Sequence, residues 1–156
     1  MRPCFAFLAL ALGLTFASPA PAENTALSAE QSAVVQVITD AYVDGIHNFR
    51  DPEAIRRGFH PDFEMLMLRD GRLEKLPIAT WIERLEAQNA KEAPPARAAG
   101  VRGTEARFPV VDVVGSAATA KVELSRGGKL VFTDFLALYR FEDGWKIVGK
   151  TFYRHP

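Results

Sequence analysis

The chain has 156 residues, 48% of them hydrophobic, and its 19 basic residues are balanced by 19 acidic ones. That is apolar material for one domain core of ordinary size. With no run of Lys or Arg, and no basic residues alternating with aromatics, nucleic acid is excluded as a partner on electrostatic grounds.

Arg2 followed by the apolar run Phe5–Phe16 has the form of a secretory signal, and the run is too short to span a bilayer. Ala20-Pro21-Ala22 is a small-x-small cleavage site. Residues 1–22 are therefore expected to leave as a signal peptide near Ala22, placing the protein in the periplasm or outside the cell with no membrane attachment. Cys4, the single cysteine, leaves with it, so the mature chain has no disulfide, thiolate metal site or cysteine nucleophile. Loss of Arg2 leaves 18 basic against 19 acidic residues, a mature charge near −1.

Residues 23–29 form a polar leader, and residues 30–154 a single domain. Ser28 with Gln31 is a capping box opening the first helix. Val34, Val35, Ile38, Tyr42 and Ile46 recur along it at helical spacing. Asp51-Pro52-Glu53 starts a short second helix, with Asp at the cap and Pro in the first turn. Phe63–Leu68 and Leu73–Ile78 are strands about the Asp70-Gly71 turn, and Thr80 with Glu83 predicts a capping box for a third helix. Ala93–Gly100 is the longest expected loop. Four strands follow: Glu105–Val114, bent or at an edge because of Pro109, then Ala117–Ser125, Lys129–Phe141 and Trp145–Tyr153. Gly127-Gly128 and Asp143-Gly144 supply the positive φ angles that tight hairpins need. Segregated helices and an antiparallel meander define an α+β fold, with helices packed on a strongly curved antiparallel sheet that forms a conical pocket.

Four stretches carry a family resemblance: Tyr42-Val43-Asp44-Gly45, Gly58-Phe59-His60-Pro61-Asp62, Thr133-Asp134-Phe135-Leu136-Ala137-Leu138, and Asp143-Gly144-Trp145-Lys146-Ile147-Val148-Gly149-Lys150. With the element order, they make the chain similar to the nuclear-transport-factor-like superfamily of cystatin-like α+β cones, and within it to the "putative lumazine-binding" group, close to the SnoaL-like proteins. The resemblance implies a conical pocket and dimers through the sheet. It also implies a choice among binding proteins and cofactor-free isomerases, dehydratases and cyclases. The superfamily's steroid isomerases imply an acid pair on the late strands, and Ala137 falls near one such position.

Two-residue loops at Gly127-Gly128 and Asp143-Gly144 would pair Val122 with Thr133, Lys121 with Asp134, Ala137 with Lys150 and Tyr139 with Val148. Directly opposed residues share a face. The helix-covered face would then hold Ala120, Val122, Leu124, Val131, Thr133, Phe135, Tyr139, Val148, Lys150 and Phe152. The opposite face, with Phe132, Asp134, Leu136, Leu138, Trp145 and Ile147, would seek a second copy of the chain.

Lys150, between two apolar neighbours on the covered face, is suited to orient an anionic or carbonyl group; the plainer alternatives are a side chain reaching out at the sheet edge, or a pair with Glu64. Asp134 is a possible acid/base residue, or else the cross-strand partner of Lys121. His60 either reaches the cavity mouth or caps the preceding helix. Tyr42, Trp81, Phe135, Tyr139, Phe152 and Met67 complete the expected lining, each equally at home in a core. Asp40, Asp44 and His47 fall on the helix face away from the apolar stripe and are expected to be solvated. No metal and no cofactor is expected: the motifs for nucleotides and for nucleophilic triads are missing, and three histidines without cysteine make a poor ligand set. These residues describe a domain for a small, largely apolar molecule with one polar group. The alternatives are a cofactor-free enzyme of the SnoaL-like type and a protein-interaction module.

Overall fold

A computed structural model of the protein describes residues 26–95 and 102–156. The expected signal peptide and residues 23–25 of the leader lie outside the described residues, as does most of the expected Ala93–Gly100 loop.

Helix α1 (Ala29–Val37) is opened by the expected capping box: Gln31 N–H donates to Ser28 Oγ at 3.2 Å, and Ser28 N–H to Gln31 Oε1 at 2.8 Å. The helix continues without a break as a π-helix, Ile38–Asn48. Its wider turn ends with Phe49 N–H donating to the Asp44 carbonyl, five residues back, at 2.8 Å. Helix α2 (Pro52–Gly58) is capped by Asp51, and helix α3 (Ile78–Lys91) lies beyond the first hairpin. The expected Thr80 capping box does not form: the cap lies three residues earlier, at Pro77, and makes no side-chain hydrogen bond.

The strands are β1 (Phe59–Arg69), β2 (Arg72–Pro77), β3 (Glu105–Val114), β4 (Ala117–Arg126), β5 (Lys129–Phe141) and β6 (Gly144–Arg154). They form one curved, open sheet in the order β2-β1-β6-β5-β4-β3. Every joint is antiparallel except β1–β6, which is parallel, so the sheet is mixed. Pro109 sits on the edge strand β3, where the register shifts between Arg107 and Val110.

Two further irregularities decide which residues face the helices. Val131 has no partner opposite Leu124 and Ser125, so Val122 pairs with Asp134, not Thr133. That one-residue bulge turns β5 over from Phe132 onward. The second lies at Val148, between the Leu138–Ile147 and Ala137–Gly149 pairs, and puts Lys150 opposite Leu136. The second turn is Glu142-Asp143, with Gly144 opening β6 at φ 113°. The helix-covered face therefore holds Val122, Leu124, Phe132, Asp134, Leu136, Leu138, Ile147, Lys150 and Phe152. Phe135 and Tyr139 are on the other face, 51% and 52% exposed. The core closes over these positions with Val34, Ile38, Tyr42, Ile46, Ile55, Phe63, Ile82 and Leu85.

Candidate functional site

The centre of this core is polar. Asp134 is fully buried and Lys150 is 6% exposed, and their charges meet at 3.0 Å between Nζ and Oδ1. Tyr42, also fully buried, donates its hydroxyl to Asp134 Oδ2 at 2.7 Å. The three come from the π-helix, β5 and β6. The expected Asp134–Lys121 pair does not exist, because the Val131 bulge carries Asp134 to the opposite face from Lys121, whose partner is Glu123. Glu64 likewise pairs with Lys75 and not with Lys150.

The Lys150 ammonium stands in a box of rings: Nζ is 4.4 Å from the Phe152 centroid, 4.9 Å from Tyr42 and 5.8 Å from Trp81. Such contacts contribute roughly 0.5–2 kcal/mol each, more when water is excluded. One proton of the ammonium is directed at Met65 Sδ at 3.8 Å, a weak acceptor. Burial holds the Lys150 pKa below the usual lysine range, and Asp134 opposes the shift. Burial, then the neighbouring carboxylate, pushes the Tyr42 hydroxyl well above its ordinary value of 10. At neutral pH the tyrosine therefore keeps its proton and acts as a hydrogen-bond donor to Asp134.

His47 belongs to this region too. On an α-helix, residues five apart are turned by roughly 140°. The π-helix brings Tyr42 and His47 together edge to face, with ring centroids 4.8 Å apart. Asp44, expected to be solvated like His47, is buried; it accepts both arms of Arg102 at 2.9 Å and the Asn48 amide at 3.0 Å. Only Asp40 of that trio is exposed. Arg126 Nη2 lies 3.3 Å from His47 Nδ1. A guanidinium only donates, so Nδ1 accepts and the ring proton sits on Nε2, which is buried with no hydrogen-bond partner.

Burial, reinforced by Lys150 and Arg126, lowers the His47 pKa from 6.5 to about 3. The folded value lies below the unfolded one, so on acidification the unfolded chain takes up this proton first. The stability tied to neutral His47 is fully present above pH 6.5 and is lost as the pH falls toward 3. Urea unfolding across that range should show stability falling with acid, and His47→Gln should flatten the fall. Equal slopes in both proteins would mean that another group controls it.

Of the other expected residues, Trp81 and Phe152 flank Lys150, and Met67 packs against the core from β1. His60 is on β1 and not among them: it stacks on Phe141 at 4.8 Å and accepts from the Asp62 N–H at 3.1 Å, without capping α2. Sequence reasoning passed over Arg50 and Arg126. Together with Ile46, His47, Leu85, Gln88, Glu92 and Pro95 they line a pocket of about 340 Å³. Arg50 has φ 49°, a left-handed backbone that costs a non-glycine residue roughly 1–2 kcal/mol.

Among the described residues, no helix is long and apolar enough to cross a membrane, and no group of three His, Cys, Asp or Glu could hold a metal ion.

A family model described as "Putative lumazine-binding" matches residues 29–153, which include every helix and strand above except the last residue of β6. The chain belongs to this family. The chain also shares its fold with solved proteins of the NTF2-like and cystatin-like type. An NTF2-like protein of unknown function from Shewanella baltica OS155 is 25% identical, with a TM-score of 0.64 over 85% of this chain and 99% of that one. An NTF2-like protein from Silicibacter pomeroyi DSS-3 is 23% identical, with a TM-score of 0.60 over 80% of this chain and 94% of that one. A cystatin-like domain of unknown function from Nostoc punctiforme PCC 73102 is 16% identical, with a TM-score of 0.54 over 84% and 80%. No curated protein matches the chain.

Proposed function

We propose that this protein binds a small, largely apolar molecule in its cone and meets the ligand's one polar group with Lys150, Asp134 and Tyr42. The observation that carries this reading is an ion pair at the centre of an apolar core. Desolvating two charges costs several kcal/mol per ion, and well-packed hydrophobic residues in their place are often as stable or more so. The pair is also incompletely satisfied. The ammonium spends a proton on a thioether, and Asp134 Oδ1 takes no aligned hydrogen bond. Trp81, Phe152, Phe132 and Met65 supply the apolar wall around a few convergent polar groups that ligand sites require. The family's description, lumazine binding, supports the same class of function.

The test is thermal unfolding against small apolar acids, ketones and pteridine-like compounds, with Lys150→Met run beside wild type. A compound that raises the wild-type midpoint, with the gain reduced in the variant, is the expected result. A flat response across the library would overturn the reading and turn attention to protein partners.

The Tyr42–Asp134 hydrogen bond at 2.7 Å favours a second reading, in which the pair moves a proton in an isomerase, dehydratase or cyclase without a cofactor. Turnover of any compound found in the screen separates the two. We further read residues 1–22 as a signal cleaved near Ala22 and the protein as periplasmic or secreted. We also read it as a dimer through the sheet. The exposed aromatics Phe135, Tyr139 and Tyr153 support that reading, as does a shallow groove of about 480 Å³ along Ala137, Gly149 and Thr151 on the face that carries no helices.

A further inference from the structure

We propose that the pocket bounded by Arg50, His47 and Arg126 is a second binding site, which takes an oxyanion: the carboxylate or phosphate group of a small molecule.

Three independent observations meet there. The first is a pocket of about 340 Å³ whose wall combines two guanidinium groups with the apolar side chains of Ile46, Leu85 and Pro95. The second is a pair of unsatisfied donors. Arg50 is 8% exposed; its Nη2 donates to the Ala93 carbonyl at 2.9 Å, but its Nη1 makes no hydrogen bond. His47 Nε2 carries a proton that no acceptor receives. Buried N–H groups are nearly always paired, and two orphans on residues lining one pocket call for an acceptor. The third is the backbone of Arg50. A non-glycine residue at φ 49° is held there against its preference, with its carbonyl accepting from Asn89 Nδ2 at 2.8 Å.

The charges agree. Arg50 and Arg126 are cations, and His47 is neutral. The one acid in the lining is Glu92, whose Oε2 lies 3.7 Å from Arg50 Nη1. That is too long for a hydrogen bond, and the Glu92 side chain is 74% exposed, so it is free to move into water as an anion enters. A carboxylate or phosphate oxygen gives Arg50 Nη1 and His47 Nε2 the acceptor they lack. Arg126, fixed through Nε to Thr104 Oγ1 at 3.1 Å, adds a second charge.

The test is isothermal titration calorimetry at constant ionic strength, with inorganic phosphate in one arm and hexanoate in the other. Binding of either supports the site, and the stronger arm tells phosphate from carboxylate chemistry. Arg50→Asn and Arg126→Gln should each weaken binding by about tenfold or more, as loss of a charged hydrogen bond does. Asn suits the left-handed backbone at position 50, so this variant removes the guanidinium without adding strain. Glu92→Gln should strengthen binding severalfold, and Arg72→Gln, on the exposed β1–β2 hairpin, should leave it unchanged. The His47 Nε2–H proton resonance should move on saturation. No heat with either anion would overturn the proposal. So would equal losses in Arg72→Gln and the pocket variants, which would mean a diffuse charge effect. Binding lost in Lys150→Met but kept in both pocket-arginine variants would put the anion at the cone's lysine and overturn it too. Because the cone is probed through Lys150 and this site through Arg50 and Arg126, either one can fail without the other.

Discussion

Asp134→Leu is expected to cost about 3–5 kcal/mol, because it leaves the Lys150 ammonium buried without its carboxylate. Tyr42 also loses the acceptor of its hydroxyl. Lys150 softens the loss by giving up its proton, which burial already favours. For a domain of this size the midpoint of unfolding should fall by something on the order of 10–20 °C. Asp134→Leu/Lys150→Met should recover most of that loss, since the charge and its orphaned partner go together. Recovery past wild type, by about 1–4 kcal/mol, would show that the native pair is kept at the expense of stability. Denaturant unfolding of the four proteins of this cycle measures the coupling. Costs that simply add, or a single variant that loses under about 1 kcal/mol, would mean that the two charges do not depend on each other.

Gly58→Ala is expected to destabilise, although helix propensity alone would have Ala gain about 1 kcal/mol over Gly. A Cβ built at Gly58 falls 2.3 Å from the Ala41 Cβ, where α2 crosses the π-helix. Neither atom belongs to a flexible side chain, so the two helices must part. Overpacking of this kind costs about 1–3 kcal/mol. Gly58→Ala/Ala41→Gly returns the missing space and should regain most of the loss, less the cost of a glycine inside the π-helix. A gain in midpoint for Gly58→Ala alone would show that the crossing is loose.

The fold was legible because its punctuation is chemical. The Ser28 box, the Asp51-Pro52 start and the Gly127-Gly128 turn each name a backbone geometry, and the bounds Glu105–Val114 and Lys129–Phe141 follow from the turns around them. The site was legible only in part. A bulge at Val131 has no residue signature, yet it exchanges the two faces of β5, sending Phe135 and Tyr139 outward and Asp134 inward. Trp145 and Ile147 travel with β5, and the bulge at Val148 turns Lys150 and Phe152 over a second time. The expectation that those two face the helices therefore holds through two shifts that cancel. His47 and Asp44 were hidden for a different reason. A period of 3.6 residues places them away from the apolar stripe, and nothing in the apolar spacing signals the wider turn that brings them in. Arg50 gives no pattern at all; its importance rests on a backbone angle and a missing partner.

The parallel joint between β1 and β6 governs how the molecule can be made. Phe59 aligns with Ile147 and Met65 with Lys150, so the first hairpin finds its place in the sheet only on the last strand. A ribosome releases residues 59–77 long before residues 144–154 exist, and until then β1 has an open edge and Lys150 is not there to meet Asp134. The sheet is therefore completed only once β6 has been made. A chain stopped at Phe141 would keep two sheet fragments, β1–β2 and β3–β5, with no strand between them and only the helices to hold them together.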